Sequence, residues 1–196
     1  MLDFSFEKRL FTQGYNLIGA LDEAGRGPLA GPVVAACVVC KNDFVVEGDL
    51  VEVKDSKKLT EKKREKLFDI ILDKFEVGVG ICDHQTIDRI NILEASFLAM
   101  KKAISNLSQQ ADFYILDGKF PIKNTSIKQQ AIIKGDSTIF SIAAASVIAK
   151  VTRDRIMLAA HEKYPVYGFD RHKGYGTKQH LNALREHGPC DIHRLS

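Results

Sequence analysis

Residues 17–39 read LIGALDEAGRGPLAGPVVAACVV, and this stretch constrains the fold more than any other. An apolar run ends in adjacent acids, Asp22 and Glu23. A segment rich in Gly and Pro follows, and then a second apolar run. Two β-branched runs joined by Gly and Pro predict strands at 17–22 and 33–40 with a turn between them. Acids where a strand stops suit an active site better than a core. Neighbouring side chains on a regular strand point to opposite faces. For both acids to serve one site, the backbone is therefore expected to leave ideal strand geometry near Glu23, which Gly25 and Gly27 permit. A hairpin with a solvated acidic corner is the competing reading.

The remaining pattern alternates helix and strand. DSKKLT (55–60) reads as a loop before a helix over 61–74, with Thr60 as N-cap and an apolar stripe at Leu67, Ile70, Ile71 and Phe75. A third strand is predicted over 76–81. Its glycines imply close backbone approach or a weak edge. Asp83 is read as capping a short turn, and a helix is predicted from about Ile90 to Asn106. FYILD (113–117) reads as a strand ending in an acid, and 127–133 as a further strand. From Thr138 a helix carries Phe140, Ala143, Ala144, Val147, Ile148 and Val151 on one stripe. Pro165 ends that pattern. A last helix is expected over 178–186, capped by Thr177 and stopped by Gly188-Pro189. The class is α/β with a mixed central sheet.

With 196 residues, 45% hydrophobic, the chain can bury a core of its own, and a net charge of +3 neither demands nor excludes an anionic partner. No apolar run approaches the ~18 residues of a membrane span. The first ten residues carry Asp3 and Glu7 and read as neither secretory signal nor clear transit peptide. A cytoplasmic, monomeric protein without membrane association is expected. Cys37 and Cys40 form a C-x-x-C, but inside an apolar strand their sulfurs point to opposite faces. The spacing favours buried small hydrophobes over a redox or zinc pair. The chain ends at Ser196 with no recognisable partner-docking peptide, such as a sliding-clamp motif.

Three predicted strands or strand ends finish in acids: Asp22 with Glu23, Asp117, and Asp136 after Lys134-Gly135. Ligand sites in α/β sheets gather at strand ends. Four converging carboxylates repel one another unless shared protons or divalent metal neutralise them. Oxygen-only ligands favour Mg²⁺ or Mn²⁺ over zinc. Two such ions roughly 3.5–4 Å apart are a device for in-line displacement at phosphorus. Lys57 and Lys58, and the cluster Arg171, His172 and Lys173, are candidate phosphate contacts, a solvated face being the alternative. Tyr175, flanked by glycines, is expected to expose its ring to a sugar or base. Lys150, Arg153 and Arg155 either extend this basic surface or pair with Asp154 and Glu162. Gly25-Arg26-Gly27 leads into a strand, so it is no dinucleotide fingerprint, and no phosphate-binding G-x-x-x-x-G-K-[ST] loop exists. A bare turn can instead approach a ribose, whose 2′-hydroxyl separates RNA from DNA.

DEAGRGPLAGPV resembles the signature of the type 2 ribonuclease H family, the bacterial ribonucleases HII. DSKKLT, LDG (116–118), KGD (134–136), IAAASVIAKVTRD (142–154) and HKGYGT (172–177) resemble its later motifs in order and together cover nearly the whole chain. The resemblance implies a ribonuclease H-like fold: a mixed central sheet flanked by helices, plus a C-terminal helical extension. It implies one domain over 1–196, with a catalytic core at about 15–163 and a substrate-contacting segment at about 164–196. It implies that Asp22, Glu23, Asp117 and Asp136 are metal-binding catalytic carboxylates for two Mn²⁺ or Mg²⁺ ions. Gly25, Arg26, Gly27 and Tyr175 would sense the ribonucleotide. The implied substrates are RNA–DNA hybrids and duplex DNA with embedded ribonucleotides. Cleavage on the 5′ side would leave a 3′-hydroxyl and a 5′-phosphate. The rivals are a nuclease or strand-transfer enzyme indifferent to the 2′-hydroxyl, and a non-catalytic hybrid-binding protein. Four retained acids argue against the last.

Overall fold

A computed structural model describes residues 2–196. Helix α1 (Ser5–Thr12) leads into β1 (Leu17–Ala24) and β2 (Val33–Lys41). Then come α2 (Glu61–Lys74), β3 (Glu76–Cys82), α3 (His84–Ile90), α4 (Ile92–Ser105), β4 (Phe113–Asp117) and β5 (Gln129–Ile132). The chain closes with α5 (Phe140–Lys163), α6 (Phe169–His172) and α7 (Lys178–His187). The polar stretch after β2 forms a turn and a short 3₁₀ helix, Gly48–Glu52.

The five strands form one mixed sheet in the order β3-β2-β1-β4-β5. β1 pairs antiparallel with β2, and β2 with β3, whereas β1, β4 and β5 run parallel. One face packs on α5, α1 and α2 through Ile18, Ala20, Val38 and Ile115. The other packs on α3 and α4 through Leu21, Val39, Tyr114 and Leu116. Cys37 and Cys40 fall on opposite faces, both buried and free, as strand alternation requires. The glycines of β3 serve an edge strand in direct contact with a helix: side chains at Gly78 and Gly80 would overlap the carbonyls of Ala103 and Ala99 on α4.

Three features differ from the sequence pattern. The helix expected from Ile90 to Asn106 is α4, which starts at Ile92, whereas the short turn expected after Asp83 is a helix, α3, that ends at Asn91, whose φ is 66°. Its side chain then caps α4 by accepting from the N–H groups of Leu93 and Glu94. Helix α5 is buried on every side from Phe140 to Ala149 rather than along one stripe. It runs under the sheet, beneath α2 and against the C-terminal segment, so it needs small side chains all round. The helix begins at Phe140, because Gly135–Ser137 forms a 3₁₀ turn that carries Asp136.

Beyond α5 a smaller apolar cluster of Ala30, Met157, Tyr167, Phe169 and Ala183 docks the C-terminal segment onto the loop between β1 and β2. An antiparallel bridge, Ala30 with His193, pins the tail to that loop.

Candidate active site

β1 does not leave strand geometry at Glu23. It stays paired to β2 through Asp22, Glu23 and Ala24, opposite Ala36, Ala35 and Val34. Asp22 therefore points to the α5 face and Glu23 to the α4 face. Both reach one site because the parallel pairing of β1 with β4 stops at Leu21–Leu116. Past that register the sheet opens, and its end is accessible from both faces. This corrects the expectation of a backbone departure: a gap in the sheet, not a kink, brings the two acids together.

The opening is a cleft of about 910 Å³ lined by Asp22, Glu23, Gly25, Arg26, Gly27, Lys57, Asp117 and Tyr175. Asp117, the last residue of β4, accepts from the Gly135 N–H at 2.7 Å, which joins it to the turn bearing Asp136. Asp136 lies 3.8 Å from Lys57 Nζ. Asp22 Oδ1 accepts the N–H of Glu23 at 2.7 Å. The four acids are thus drawn from two strand ends and one helix entrance, all at one end of the sheet.

Their environment opposes charge. Burial, and then the charges of Glu23 and Asp117, holds the Asp22 carboxyl well above the usual range. Burial also raises Glu23, although Arg26, 3.2 Å away, works against it. Asp117 is raised by burial and by Asp136. On Lys57, burial disfavours the cation, but Asp22, Asp55, Asp136 and Asp117 outweigh it, and the net shift is upward. Oε2 of Glu23 is buried with no hydrogen-bond partner. A buried, acceptor-only oxygen beside mutually repelling carboxylates is what a divalent cation would satisfy. Among the described residues no three His, Cys, Asp or Glu side chains close on one point to grip an ion unaided.

The loop after β1 is built for close approach. Gly25 has φ of +101°, and a side chain there would run into Arg153 and the Pro32 carbonyl. Gly27 faces the Tyr175 ring: a Cβ on it would lie 3.7 Å from the ring edge. Tyr175 is 40% exposed and forms the opposite lip of the cleft.

Other predicted contacts lie elsewhere. Lys58 turns to Asp55 at 3.7 Å. His172 spends both ring nitrogens inside the fold, Nε2 on the Tyr167 carbonyl at 2.8 Å and Nδ1 on the Gly174 N–H at 3.2 Å. Lys173 is buried, in the left-handed region at φ 50°, and its ammonium donates to the Asp170 carbonyl. Arg171 is exposed beside Asp170. His172 and Lys173 therefore spend their polar atoms inside the fold, whereas the Arg171 side chain is exposed.

Of the basic residues on α5, Lys150 pairs with Asp154 at 2.5 Å and Arg155 pairs with Glu65. Arg153 is fully buried and is no part of any surface. Sequence reasoning missed Ser56, Arg64 and Ser146 among the cleft residues. Ser56 and Ser146 hydroxyls meet at 2.8 Å, and Ser146 supports the Asp22 carboxylate. The available signal was a serine within a run of buried alanines and aliphatics.

The chain is similar to known proteins over nearly its whole length. A family model described as ribonuclease HII matches residues 18–196. A ribonuclease HII of Acetivibrio thermocellus is 54% identical over 192 residues, covering 97% of this chain and 73% of the relative. One from Caldicellulosiruptor bescii is 52% identical over 194 residues, covering 98% and 92%. The crystal structure of ribonuclease H2 from Pyrococcus horikoshii superposes with a TM-score of 0.73 at 29% identity, covering 91% of this chain and 92% of that one. With its mixed sheet, its acids at the sheet's open end and these similarities over nearly its whole length, the chain belongs to the ribonuclease HII family of endoribonucleases.

Proposed function

We propose that this chain hydrolyses the RNA strand of RNA–DNA hybrids and also incises duplex DNA 5′ of a single embedded ribonucleotide, leaving a 3′-hydroxyl and a 5′-phosphate. The observation that carries this reading is the pairing of two features across one cleft. Buried carboxylates lie on one side, and a bare Gly-Arg-Gly turn against an exposed tyrosine lies on the other.

Asp22, Glu23, Asp117 and Asp136 would hold divalent Mg²⁺ or Mn²⁺, in keeping with their all-oxygen donors and the unpartnered Glu23 Oε2. Carboxylates that do not close on one point suit ions that keep water and take further oxygens from a substrate phosphate. When bound, such ions supply Lewis-acid stabilisation of the phosphoryl group and activation of the attacking water.

The protein's own residues do the rest. Asp117 is oriented by the Gly135 N–H, and Asp22 by its own strand and Ser146. Lys57 is positioned to receive a backbone phosphate beside Asp136. The Gly25–Gly27 turn brings peptide groups to the sugar edge, where the 2′-hydroxyl is read. Tyr175 packs on the neighbouring sugar. The core at about 15–163 thus carries the carboxylates, and the segment 164–196 presents the ring. No helix among the described residues is long and apolar enough to cross a membrane.

Asp117→Asn tests the reading. It removes one anionic oxygen while the proposed phosphate contacts remain. The variant should lose cleavage, keep hybrid binding, and lose the rise in thermal midpoint that Mn²⁺ gives wild type. For metal at 100 times its Kd that rise corresponds to about 2.7 kcal/mol. Near-normal turnover at saturating Mg²⁺, with the thermal shift intact, would remove Asp117 from the site.

A further inference from the structure

The loop proposed to read the ribose is held from behind by one residue of the tail. Arg194 donates through Nη2 to the Gly25 carbonyl at 2.6 Å and through Nη1 to the Arg26 carbonyl at 3.1 Å. Its remaining bonds go to Gly31 O, from Nε at 3.0 Å and Nη2 at 2.8 Å, and to Pro32 O at 3.2 Å. Every one of these partners is a backbone carbonyl. Burial, and then the charge of Arg153, pushes the guanidinium down to about 10, so the contact is made at a cost in solvation.

The direction of these bonds matters. In a trans planar peptide the C=O and N–H point opposite ways. With the Gly25 and Arg26 carbonyls turned to Arg194, the N–H groups of Arg26 and Gly27 are turned away from it. Neither N–H has a partner among the described residues. Arg26 and Gly27 line the cleft.

The preceding residue reaches the other half of the reader. His180 Nδ1 lies 3.0 Å from the Tyr175 carbonyl, which can only accept, so Nδ1 carries the proton. His180 Nε2 must then accept from His193 Nε2, 2.9 Å away. His193 Nδ1 accepts in turn from the Cys190 N–H at 2.8 Å. With both imidazoles neutral, the relay has one consistent arrangement. Two adjacent tail residues thus hold the two lips of the cleft, His193 through His180 to Tyr175 and Arg194 to Gly25 and Arg26. The backbone between them is pinned by the Arg194 N–H on Leu29 O at 2.8 Å.

We propose that Arg194 is a positioning residue for ribose discrimination: by gripping the Gly25 and Arg26 carbonyls it aims the loop's free N–H groups into the cleft, while His193 and His180 keep Tyr175 at a fixed spacing from them. The proposal rests on the reading that Gly25–Gly27 and Tyr175 meet the ribonucleotide. A single ribonucleotide offers one register, so an error in aim is costly there. A continuous hybrid offers many equivalent registers and tolerates it better.

The experiment compares wild type, Arg194→Lys and Arg194→Ala. Each is assayed on a duplex with one ribonucleotide, a continuous RNA–DNA hybrid and an all-deoxy duplex. A lysine keeps the charge and most of the volume but cannot span two carbonyls. Misplacement of about 1 Å can cost about 10²-fold. Arg194→Lys should accordingly lose about that much kcat/KM on the single ribonucleotide, mostly in kcat. It should lose about tenfold less on the hybrid, with a thermal midpoint close to wild type. Guanidinium ion should partly restore Arg194→Ala and leave Arg194→Lys unchanged, because only the truncated side chain leaves room for it. Equal losses on both substrates, or no loss on either, would overturn the role of Arg194 while leaving wild-type selectivity standing. If wild type itself cuts the all-deoxy duplex, the reading of the loop fails, and this proposal with it.

Discussion

Arg153 is the largest fully buried side chain, and replacing it with Met should destabilise the region where the tail meets the cleft. Its Nε donates to Pro32 O at 2.9 Å, Nη1 to Lys173 O at 2.9 Å and Nη2 to Ala30 O at 3.1 Å. Methionine fills much of the stem's volume and supplies none of these donors. Pro32 O keeps Arg194 as a partner. Ala30 O and Lys173 O lose the guanidinium, at about 1–3 kcal/mol for each buried acceptor left unpaired. That gives about 2–6 kcal/mol. Relief of the buried charge offsets part of it, since burial alone holds this guanidinium below its ordinary value. The lower half of the range, about 2–4 kcal/mol, is therefore expected, or about 4–16 °C in Tm for a chain of this size. Thermal unfolding followed by circular dichroism measures it. Arg155→Met, at an exposed pair with Glu65, is the control and should move stability by no more than about 0.5 kcal/mol. A Tm for Arg153→Met indistinguishable from the control would refute the reasoning.

Lys57→Ala should flatten the salt dependence of duplex binding by about 0.9 in the log–log slope, the share of one phosphate contact. Lys173→Ala should leave that slope alone and lower Tm instead, because its ammonium is spent on the Asp170 carbonyl. The imidazoles of His180 and His193 are held below the ordinary value of 6.5, chiefly by burial. The unfolded chain then binds more protons below that pH, so their contribution is complete above about 6.5 and is lost as pH falls through the depressed folded values. The Tm gap between wild type and His193→Gln should shrink between pH 7.5 and 5. Taking the difference cancels the opposite trend of the raised carboxylates, and a gap that widens on acidification would contradict the neutral relay.

Local signals carried much of the fold. Thr60 and Thr177 cap their helices where a hydroxyl before an amphipathic run predicts a cap, and FYILD is a strand over the residues its β-formers mark. What was illegible depended on long-range packing. The segment after Asp83 reads as a short turn but is a helix to Ile90, which Asn91 ends at φ 66° while its side chain caps the next helix. A buried arginine such as Arg153 reads as surface in sequence, since its partners are carbonyls 121 and 123 positions away along the chain. That Asp22 and Glu23 share one cleft was legible, but not the means by which both reach it. That depends on where the β1–β4 register ends. His172 and Lys173 looked like phosphate contacts because a motif shows residue types and not what their side chains are already bonded to.

The central claim is that the cleft couples carboxylate-assisted phosphodiester cleavage to recognition of a 2′-hydroxyl. Its most direct test uses one duplex sequence in three forms, with a ribonucleotide, a 2′-deoxynucleotide or a 2′-O-methyl nucleotide at a single position. Phosphate contacts are common to all three and cannot discriminate among them. The account predicts one cut, on the 5′ side of the ribonucleotide, in the first form and none in the other two. Cleavage of the all-deoxy form with comparable kcat/KM would contradict it.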